Sequence, residues 1–238
     1  MNNHYSKIEP ALYVISTPIG NMQDISNRSL KMLSLSDYIL CEDTRITSKL
    51  LNFYSIKKKL ISFNVVNEKQ KIHKILEDLK NQKVISLVSD AGTPAISDPG
   101  SNLISKCYEI GVQVRPIPGA SAILSAVSVS GFSDNFYFCG FLPKKQTELE
   151  KFLAKTKLVK ASLVFFIPAR DLGKNSKFLT KYFPKSNFLI AREMTKVHET
   201  YIKDTIVNIN KYVQDNDKGE MTLVIDNSVE EKTDINID

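Results

Sequence analysis

The sequence predicts an α/β protein with largely parallel strands in its first half. Short apolar runs rich in Val, Ile and Leu alternate with segments of helical period, as in strand-helix repeats. The 238 residues, 42% hydrophobic and 24% charged, suit a globular protein of one large domain or two compact ones. We expect two domains, because a Pro-Ile-Pro-Gly stretch at 116–119 interrupts the alternation.

The first predicted domain, residues 1–117, contains five strands joined by helices that each present one apolar stripe. In one helix Ile72, Ile75, Leu76 and Leu79 recur at i, i+3, i+4 and i+7, and Ile46, Leu50 and Phe53 keep similar spacing in another. The predicted strands are Leu12–Ser16, Tyr38–Cys41, Leu60–Phe63, Val84–Ser89 and Val112–Ile117.

The second predicted domain, residues 118–226, is of the α+β type with a more antiparallel, mixed sheet. Its predicted helices are Ala120–Val129 and Thr205–Val213, the second with Asp204 as its N-cap. Its predicted strands are Phe136–Cys139, Leu163–Phe166, Asn187–Arg192, Thr200–Lys203 and Met221–Ile225. Residues 227–238 carry several acids and little apolar content, which predicts a disordered tail.

Charge and composition narrow the class of protein. The net charge of +6 favours a polyanionic partner, although solvated lysines explain such an excess as well. Cys41, Cys107 and Cys139 are far apart in apolar stretches and predict core residues in a reducing compartment. Neither a membrane-spanning run nor a secretory signal is recognised, and the three histidines are not spaced for a metal site, so we expect a cytoplasmic protein without a metal.

Two strand-end loops are candidate binding segments. Pro18, Ile19 and Gly20 follow the first strand, at the edge where open α/β sheets bind ligands, although Pro and Gly also close ordinary turns. The segment 90–92 follows the most apolar strand and places the carboxylate of Asp90 before Ala91 and Gly92, where it could hold a hydroxyl or a cation. Asp98 and Pro99 resemble a helix N-cap followed by proline.

Two further segments have both a functional and a structural interpretation. Ser121 and Ala122, after Pro118, open a helix whose free amides could meet a ligand, or they belong to a hinge. Glu42 and Asp43 start a helix, where they either cap it or orient a substrate. The fingerprints Gly-x-Gly-x-x-Gly and Gly-x-x-x-x-Gly-Lys-Ser/Thr are not recognised, which makes dinucleotides and nucleoside triphosphates poor candidates.

Taken together, these segments resemble the ribosomal RNA small-subunit methyltransferase I group of the tetrapyrrole methylase superfamily. The order and spacing agree over nearly the whole chain. The matching stretches are Leu12-Tyr13-Val14 leading into Thr17-Pro18-Ile19-Gly20-Asn21, Glu42-Asp43-Thr44-Arg45, Ser89 to Pro94 with Ser97 to Gly100, Pro116 to Ser121, Gly140-Phe141-Leu142-Pro143-Lys144-Lys145 and Ala191-Arg192-Glu193-Met194-Thr195-Lys196.

The resemblance implies an S-adenosyl-L-methionine-dependent enzyme that methylates the 2′-hydroxyl of a cytidine in 16S rRNA, with the assembled small ribosomal subunit as the expected substrate. It also implies two α/β domains, a cofactor cleft between them and a homodimer. The implied cofactor-binding residues are Pro18, Ile19, Gly20, Asp90, Ala91, Gly92, Ser97, Pro118, Ser121 and Ala122.

The resemblance leaves the general base open. Glu42, Asp43 and Asp90 are the candidate catalytic residues, because a ribose hydroxyl reacts once its proton is drawn away. The candidate RNA-binding cations are Arg45, Lys144, Lys145, Arg192 and Lys196. The lysines at 57–59 and around 174–185 are interpreted mainly as solvated surface.

Two departures from the family pattern keep alternatives open. The family's His-Glu-His-Asn-Glu run is Asn64-Val65-Val66-Asn67-Glu68 here, and its Glu-Ala/Ser-Pro-His-Arg run is Ile167-Pro168-Ala169-Arg170-Asp171. If the replaced groups position RNA or activate the hydroxyl, the enzyme is slow, depends on a partner or has another substrate. The alternatives are a precorrin-type tetrapyrrole methyltransferase and a catalytically degenerate protein that binds RNA or ribosomes.

Overall fold

The computed structural model describes residues 8–213 and 218–228, which form two compact units within Met1–Ser121 and Ala122–Asp238. In the first unit the strands are β1 (Leu12–Ile15), β2 (Tyr38–Cys41), β3 (Leu60–Ser62), β4 (Ile85–Val88) and β5 (Val114–Ile117). Its helices are α1 (Asn27–Leu35), α2 (Thr44–Phe53), α3 (Glu68–Lys80) and α4 (Ser101–Glu109), with a short 3-10 helix at Met22–Asp24.

The second unit begins with a helix and contains five more strands. The strands are β6 (Phe136–Phe141), β7 (Ser162–Pro168), β8 (Asn187–Arg192), β9 (Thr200–Thr205) and β10 (Glu220–Asp226). The helices are α5 (Ala122–Ser130), α6 (Gln146–Thr156) and α7 (Leu172–Tyr182), with 3-10 helices at Ala169–Asp171 and Ile206–Tyr212.

The first sheet is parallel, in the order β3-β2-β4-β1-β5. Successive side chains of each strand point to opposite faces, so Tyr13 and Ile15 pack with α1 and α2, whereas Leu12 packs with α3 and α4. The chain therefore leaves β1 toward one face and leaves the adjacent β4 toward the other. This arrangement makes β1 and β4 the switch point of the sheet, where a crevice opens beyond the strand ends.

The second sheet is mixed, in the order β6-β7-β10-β8-β9. Strands β6 and β7 are parallel, and the remaining pairs are antiparallel. Phe165, Leu223 and Ile190 build a core on one face of this sheet with α6, α7 and the 3-10 helix at Ile206–Tyr212. Helix α5 contacts β7, β8 and β10. The predicted fold class, a parallel first half and a mixed second half, is confirmed.

Two local predictions are wrong. The segment after β9 is a 3-10 helix at Ile206–Tyr212, and Asp204 is the penultimate residue of β9. Its carboxylate instead accepts hydrogen bonds from Asn208 Nδ2 at 2.9 Å and the Tyr212 hydroxyl at 2.8 Å, which close the loop without starting an α-helix. Asp98 is not the N-cap of α4, because that helix begins at Ser101 with Gly100 at the N-cap.

The predicted domain limits, 1–117 and 118–226, stay predictions. Of the predicted tail, Asn227 is described, and its side-chain amide donates to the carbonyl oxygens of Lys157 and Val159. Residues 229–238 lie outside the described residues. Within the described ranges, every helix is too short or too polar to span a bilayer.

The turn before α4 generates a stability prediction at Gly100. This residue has φ +129°, and a Cβ there would lie 2.7 Å from Cδ2 of the buried Leu87. We expect Gly100→Ala to lower the free energy of unfolding by about 2–4 kcal/mol, since it combines backbone strain with a core clash. Denaturant unfolding measures this change.

Gly111→Ala is the matched control. Gly111 also has a positive φ, +73°, but a Cβ there would meet nothing within 4 Å. Only the backbone cost of about 1–2 kcal/mol should remain. Equal losses for the two variants would contradict the packing of the turn against Leu87.

Candidate functional site

A pocket of about 170 Å³ opens at the switch point of the first sheet. The loop after β1 forms one wall and the loop after β4 forms another, while α2 supplies the third. The lining residues are Thr17, Pro18, Ile19, Gly20, Met22, Ile46, Thr47, Leu50, Ser89, Asp90 and Ala91.

Backbone hydrogen bonds hold the two loops together. The Thr17 amide donates to the Gly92 carbonyl at 2.9 Å, and the Gly92 amide donates back to the Thr17 carbonyl at 3.1 Å. The Thr17 hydroxyl adds a hydrogen bond to the Ser89 carbonyl at 3.2 Å. Gly92 adopts φ +82°, and a Cβ there would lie 3.4 Å from Cγ2 of Ile19, so glycine suits both the turn and the close approach.

The segment after β5 joins these two loops. A Cβ on Gly119 would lie 3.0 Å from the Cβ of Ser16, so this segment passes close against the end of β1. Thr93 Oγ1 shares a hydrogen bond of 2.9 Å with Ser16 Oγ and donates to the Ala120 carbonyl at 3.4 Å. The ends of β1, β4 and β5 therefore meet at one edge of the sheet.

The structure brings together five of the predicted cofactor-binding residues in the lining of the pocket: Pro18, Ile19, Gly20, Asp90 and Ala91. Gly92 pairs with Thr17 directly behind them. Ser97, with φ +63°, lies in the loop between β4 and α4; Pro118 and Ser121 follow β5, and Ala122 is the first residue of α5. The assignment of these residues to a cofactor stays a prediction.

Sequence reasoning missed the apolar wall contributed by α2. The sequence places Ile46 and Leu50 on an apolar helical stripe, and the structure shows that both line the pocket, as do Met22 and Thr47. Ile46 is 42% exposed and Leu50 is 6% exposed. The apolar face of α2 therefore changes from exposed to buried within one helical turn. Periodicity marks an apolar face without showing what covers it.

Asp90 is the carboxylate that lines the pocket. Its Oδ1 accepts a hydrogen bond from the Asp43 amide at 3.0 Å. Burial raises the pKa of Asp90, with a further contribution from the nearby charge of Asp43. Burial also raises the pKa values of Glu42 and Asp98, and Asp90 adds repulsion to both. This end of the sheet is negatively charged and would favour a cation or a hydroxyl donor.

Asp43 and Arg45 are engaged with each other. The carboxylate of Asp43 accepts from the Arg45 amide at 2.8 Å, as an N-cap of α2, and from Arg45 Nε at 3.0 Å. These bonds from Arg45 lower the pKa of Asp43 to about 2. Glu42 and Asp43 are not among the residues that line the pocket, so Asp90 alone of the three candidate catalytic residues does so.

The remaining candidate RNA-binding cations lie at two places in the second unit. Lys144 and Lys145 are exposed just before α6, and Lys145 pairs with Glu148 at 3.3 Å. Arg192 ends β8 and donates to the Lys218 carbonyl. Lys196 pairs with Glu193 at 3.1 Å and with Glu220 at 3.3 Å, so its charge is partly compensated.

The two departures from the family pattern have local structural consequences. Asn64 and Asn67 bond to each other's backbone amides before α3, at 3.0 and 3.2 Å, and leave Val65 and Val66 exposed. In the other segment Ile167 is buried in the core of the second unit, and Asp171 pairs with Lys174 at 2.8 Å. These side chains make local contacts, are buried in the core or are exposed to solvent. None of them lines the pocket at the switch point.

Comparison with solved structures identifies the fold. The uroporphyrin-III-C-methyltransferase of Thermus thermophilus superposes with a TM-score of 0.64 at 13% identity, over 92% of this chain and 96% of that one. Diphthine synthase gives a TM-score of 0.68 at 16% identity, over 90% of this chain and 88% of that one. Identities this low establish a common fold and no more.

Comparison of sequences gives the family. The family model described as Tetrapyrrole (Corrin/Porphyrin) Methylases matches residues 11–210. Ribosomal RNA small subunit methyltransferase I of Thermotoga maritima is 44% identical, over 90% of this chain and 97% of the relative. The protein of that name from Neisseria meningitidis serogroup A is 40% identical, over 95% of this chain and 79% of the relative. The chain therefore belongs to the tetrapyrrole methylase family and, within it, to the ribosomal RNA small subunit methyltransferase I family.

Proposed function

We propose that this protein transfers a methyl group from S-adenosyl-L-methionine to the 2′-hydroxyl of a cytidine ribose in the 16S rRNA of the small ribosomal subunit. The observation that carries the proposal is the pocket between the Thr17–Gly20 and Ser89–Ala91 loops, in a chain whose relatives are named for small-subunit rRNA methylation. Such an enzyme would act in the cytoplasm, where ribosomal subunits assemble, and we propose that it works as a homodimer.

The pocket fits one end of the cofactor. Its volume of about 170 Å³ is below the roughly 300–1,000 Å³ of sites that enclose a whole ligand of this size. Ile19, Ile46 and Leu50 offer apolar contact, and Asp90 offers an acceptor for a hydroxyl or ammonium group. The turn at Gly92 and the paired loops fix these groups in place before the ligand binds, which lowers the entropy lost on binding.

The bound sulfonium supplies an activated methyl group, and the protein's task is to orient and deprotonate the acceptor. Among the candidate bases, Asp43 is disfavoured because its pKa of about 2 makes it a weak proton acceptor. Burial raises the pKa values of Glu42 and Asp90, which strengthens both as bases. A carboxylate that draws the proton from the ribose hydroxyl would contribute roughly 10²- to 10⁴-fold.

RNA binding is the second requirement. Arg45 is exposed at the start of α2, next in sequence to the pocket-lining Ile46, and Lys144 and Lys145 are exposed before α6. Contacts of such cations with phosphates release counterions and fix the position of the RNA without reading its sequence. A tetrapyrrole substrate is not favoured, because the relatives that are 44% and 40% identical are named for rRNA, whereas the uroporphyrin-III-C-methyltransferase structure is only 13% identical.

The proposal is tested with small ribosomal subunits that lack the modification. The purified protein, S-adenosyl-L-methionine and these subunits should yield one ribose-methylated cytidine in 16S rRNA, mapped by nuclease digestion and mass spectrometry. Naked 16S rRNA is the comparison substrate, because the recognised shape can depend on assembly. Binding of cofactor and RNA without methyl transfer would indicate a degenerate binding protein, and methylation of a base would contradict the 2′-hydroxyl assignment.

Asp90→Asn tests the carboxylate of the pocket. We expect the cofactor affinity, measured by calorimetry, to fall about tenfold, because a charge-assisted hydrogen bond becomes a neutral one. The wild-type affinity should also fall as the pH is lowered, since protonation removes the negative charge of the acceptor. The raised pKa of Asp90 places this loss above the pH at which an ordinary aspartate titrates.

The variant should lose that pH dependence. Asp134→Asn is the control, because Asp134 is an exposed residue of the second unit that does not line the pocket. It removes one negative charge and should leave affinity and pH profile as in the wild type. An unchanged pH profile for Asp90→Asn would exclude Asp90 as the titrating acceptor.

A further inference from the structure

A second cavity, of about 360 Å³, opens in the second unit between the beginning of α6 and α7. We call it the lysine groove. It is lined by Lys144, Gln146, Leu149, Gly173, Lys174, Asn175, Lys177 and Phe178. Sequence position does not group these residues, because Lys174 and Lys177 fall in a stretch whose lysines are interpreted mainly as solvated surface.

The groove carries a positive excess. Lys144, Lys174 and Lys177 are exposed at its rim, and none of its lining residues is acidic. Lys174 is paired with Asp171 at 2.8 Å, and Lys177 lies 4.9 Å from the centre of the Phe178 ring. Within the described residues Lys144 has no ion-pair partner. Asp171 offsets one of the three charges, so the groove favours an anion.

Asn175 is the feature that sets the groove apart from a patch of surface lysines. The residue is only 5% exposed, and its amide makes no hydrogen bond with any other residue of the described ranges. Asn175 has no side-chain polar atom that is both sealed from solvent and unpaired, so its amide reaches solvent. Because Asn175 lines the groove, the amide is available to a ligand that enters it.

The beginning of α6 adds backbone donors. This helix of 11 residues has Lys145 at its N-cap without a side-chain cap, so amides of the first turn remain open near Gln146. The positive end of the helix attracts anions, although Glu148 in the same turn, paired with Lys145, reduces this effect.

We propose that the lysine groove binds a phosphodiester group of the RNA substrate. The lysines donate charge-assisted hydrogen bonds to the non-bridging oxygens, and the Asn175 amide donates to the same phosphate. This inference rests on the proposed function and extends it, since it joins Lys144, a candidate RNA-binding cation, with Lys174, Lys177 and Asn175 in one anchoring subsite. Such a contact would hold the RNA in register without specifying a base.

The charge test compares two double variants with the same loss of charge. Lys144→Ala with Lys177→Ala removes two rim lysines, and Lys155→Ala with Lys160→Ala removes two exposed lysines at and beyond the far end of α6, where α6 spans about 16 Å. KM for unmodified small subunits should rise about tenfold in the first and stay near the wild-type value in the second. The slope of log KM against log salt should also flatten by roughly one to two in the first only. Equal effects in both variants would overturn the proposal.

Asn175→Ala separates binding from folding. If the amide serves a ligand, its removal should raise KM about two- to tenfold while the thermal midpoint stays at or above that of the wild type, since no internal hydrogen bond is lost and alanine favours the helix. A lower midpoint with unchanged KM would show that Asn175 is structural and would overturn the proposal.

Two measurements distinguish a failure of the groove proposal from a failure of the proposed function. Calorimetric titration with S-adenosyl-L-methionine should give the wild-type affinity in all three variants, because the cofactor pocket is built from residues of the first unit. Wild-type protein that fails to methylate small subunits would refute the proposed function itself. Titration with inorganic phosphate tests whether the groove binds a free anion in place of an RNA phosphate. Groove variants that lose phosphate binding but keep the wild-type KM would assign the groove to a free anion and overturn the RNA subsite.

Discussion

The site depends on the reciprocal backbone pairing of Thr17 with Gly92. These two hydrogen bonds join the loops that follow β1 and β4, and they form where the chain has just left the sheet toward opposite faces. The pairing needs a residue that tolerates φ +82° beside Ile19, which glycine provides. With the Thr17 hydroxyl bond to the Ser89 carbonyl, this pairing sets the separation of the Pro18–Gly20 and Ser89–Ala91 walls, while the Asp43 amide holds Asp90.

The alternation of side chains along β1 explains why the crevice lies there. Tyr13 and Ile15 bury one face under α1 and α2, and Leu12 buries the other under α3 and α4. A one-residue slip in the pairing of β1 would exchange these faces. The position of the crevice is thus a consequence of how the helices pack on the two faces of the sheet. The same packing buries the carboxylates near it. Burial raises the pKa values of Asp90, Glu42 and Asp98, because it disfavours their charged forms. A cationic or hydroxyl-bearing ligand would offset this free-energy cost of desolvation.

The two units differ in the sign of the charge that they offer a ligand. The pocket of the first unit is acidic and partly apolar, whereas the lysine groove of the second unit is basic. In the proposed reaction the methyl donor carries a sulfonium cation and the acceptor belongs to a polyanion, so opposite electrostatic surfaces suit the two substrates. The formal charge of +6 is the sum over the whole chain and does not show this difference between the two units.

The fold class, the family and most of the strand positions follow from the amino-acid sequence. Tyr38–Cys41 and Asn187–Arg192 were predicted with the bounds that the structure has, because apolar runs and turn residues are local signals. The loops after β1 and β4 were located in the same way, since proline, glycine and aspartate mark strand-end turns, although these residue types do not by themselves distinguish a binding loop from an ordinary turn.

Which residues share a cavity depends on how the chain folds. Ile46 and Leu50 follow the period of a core helix, and only the strand order shows that their stripe faces the pocket. By sequence Asp43 is a candidate base and Arg45 a candidate RNA-binding cation, but their side chains bond to each other at the start of α2. Lys144 and Asn175 are 31 positions apart, and α6 and α7 bring them to one groove. Periodicity and capping act between near neighbours in the chain, whereas a cavity depends on contacts between residues that are distant in sequence and adjacent only after folding.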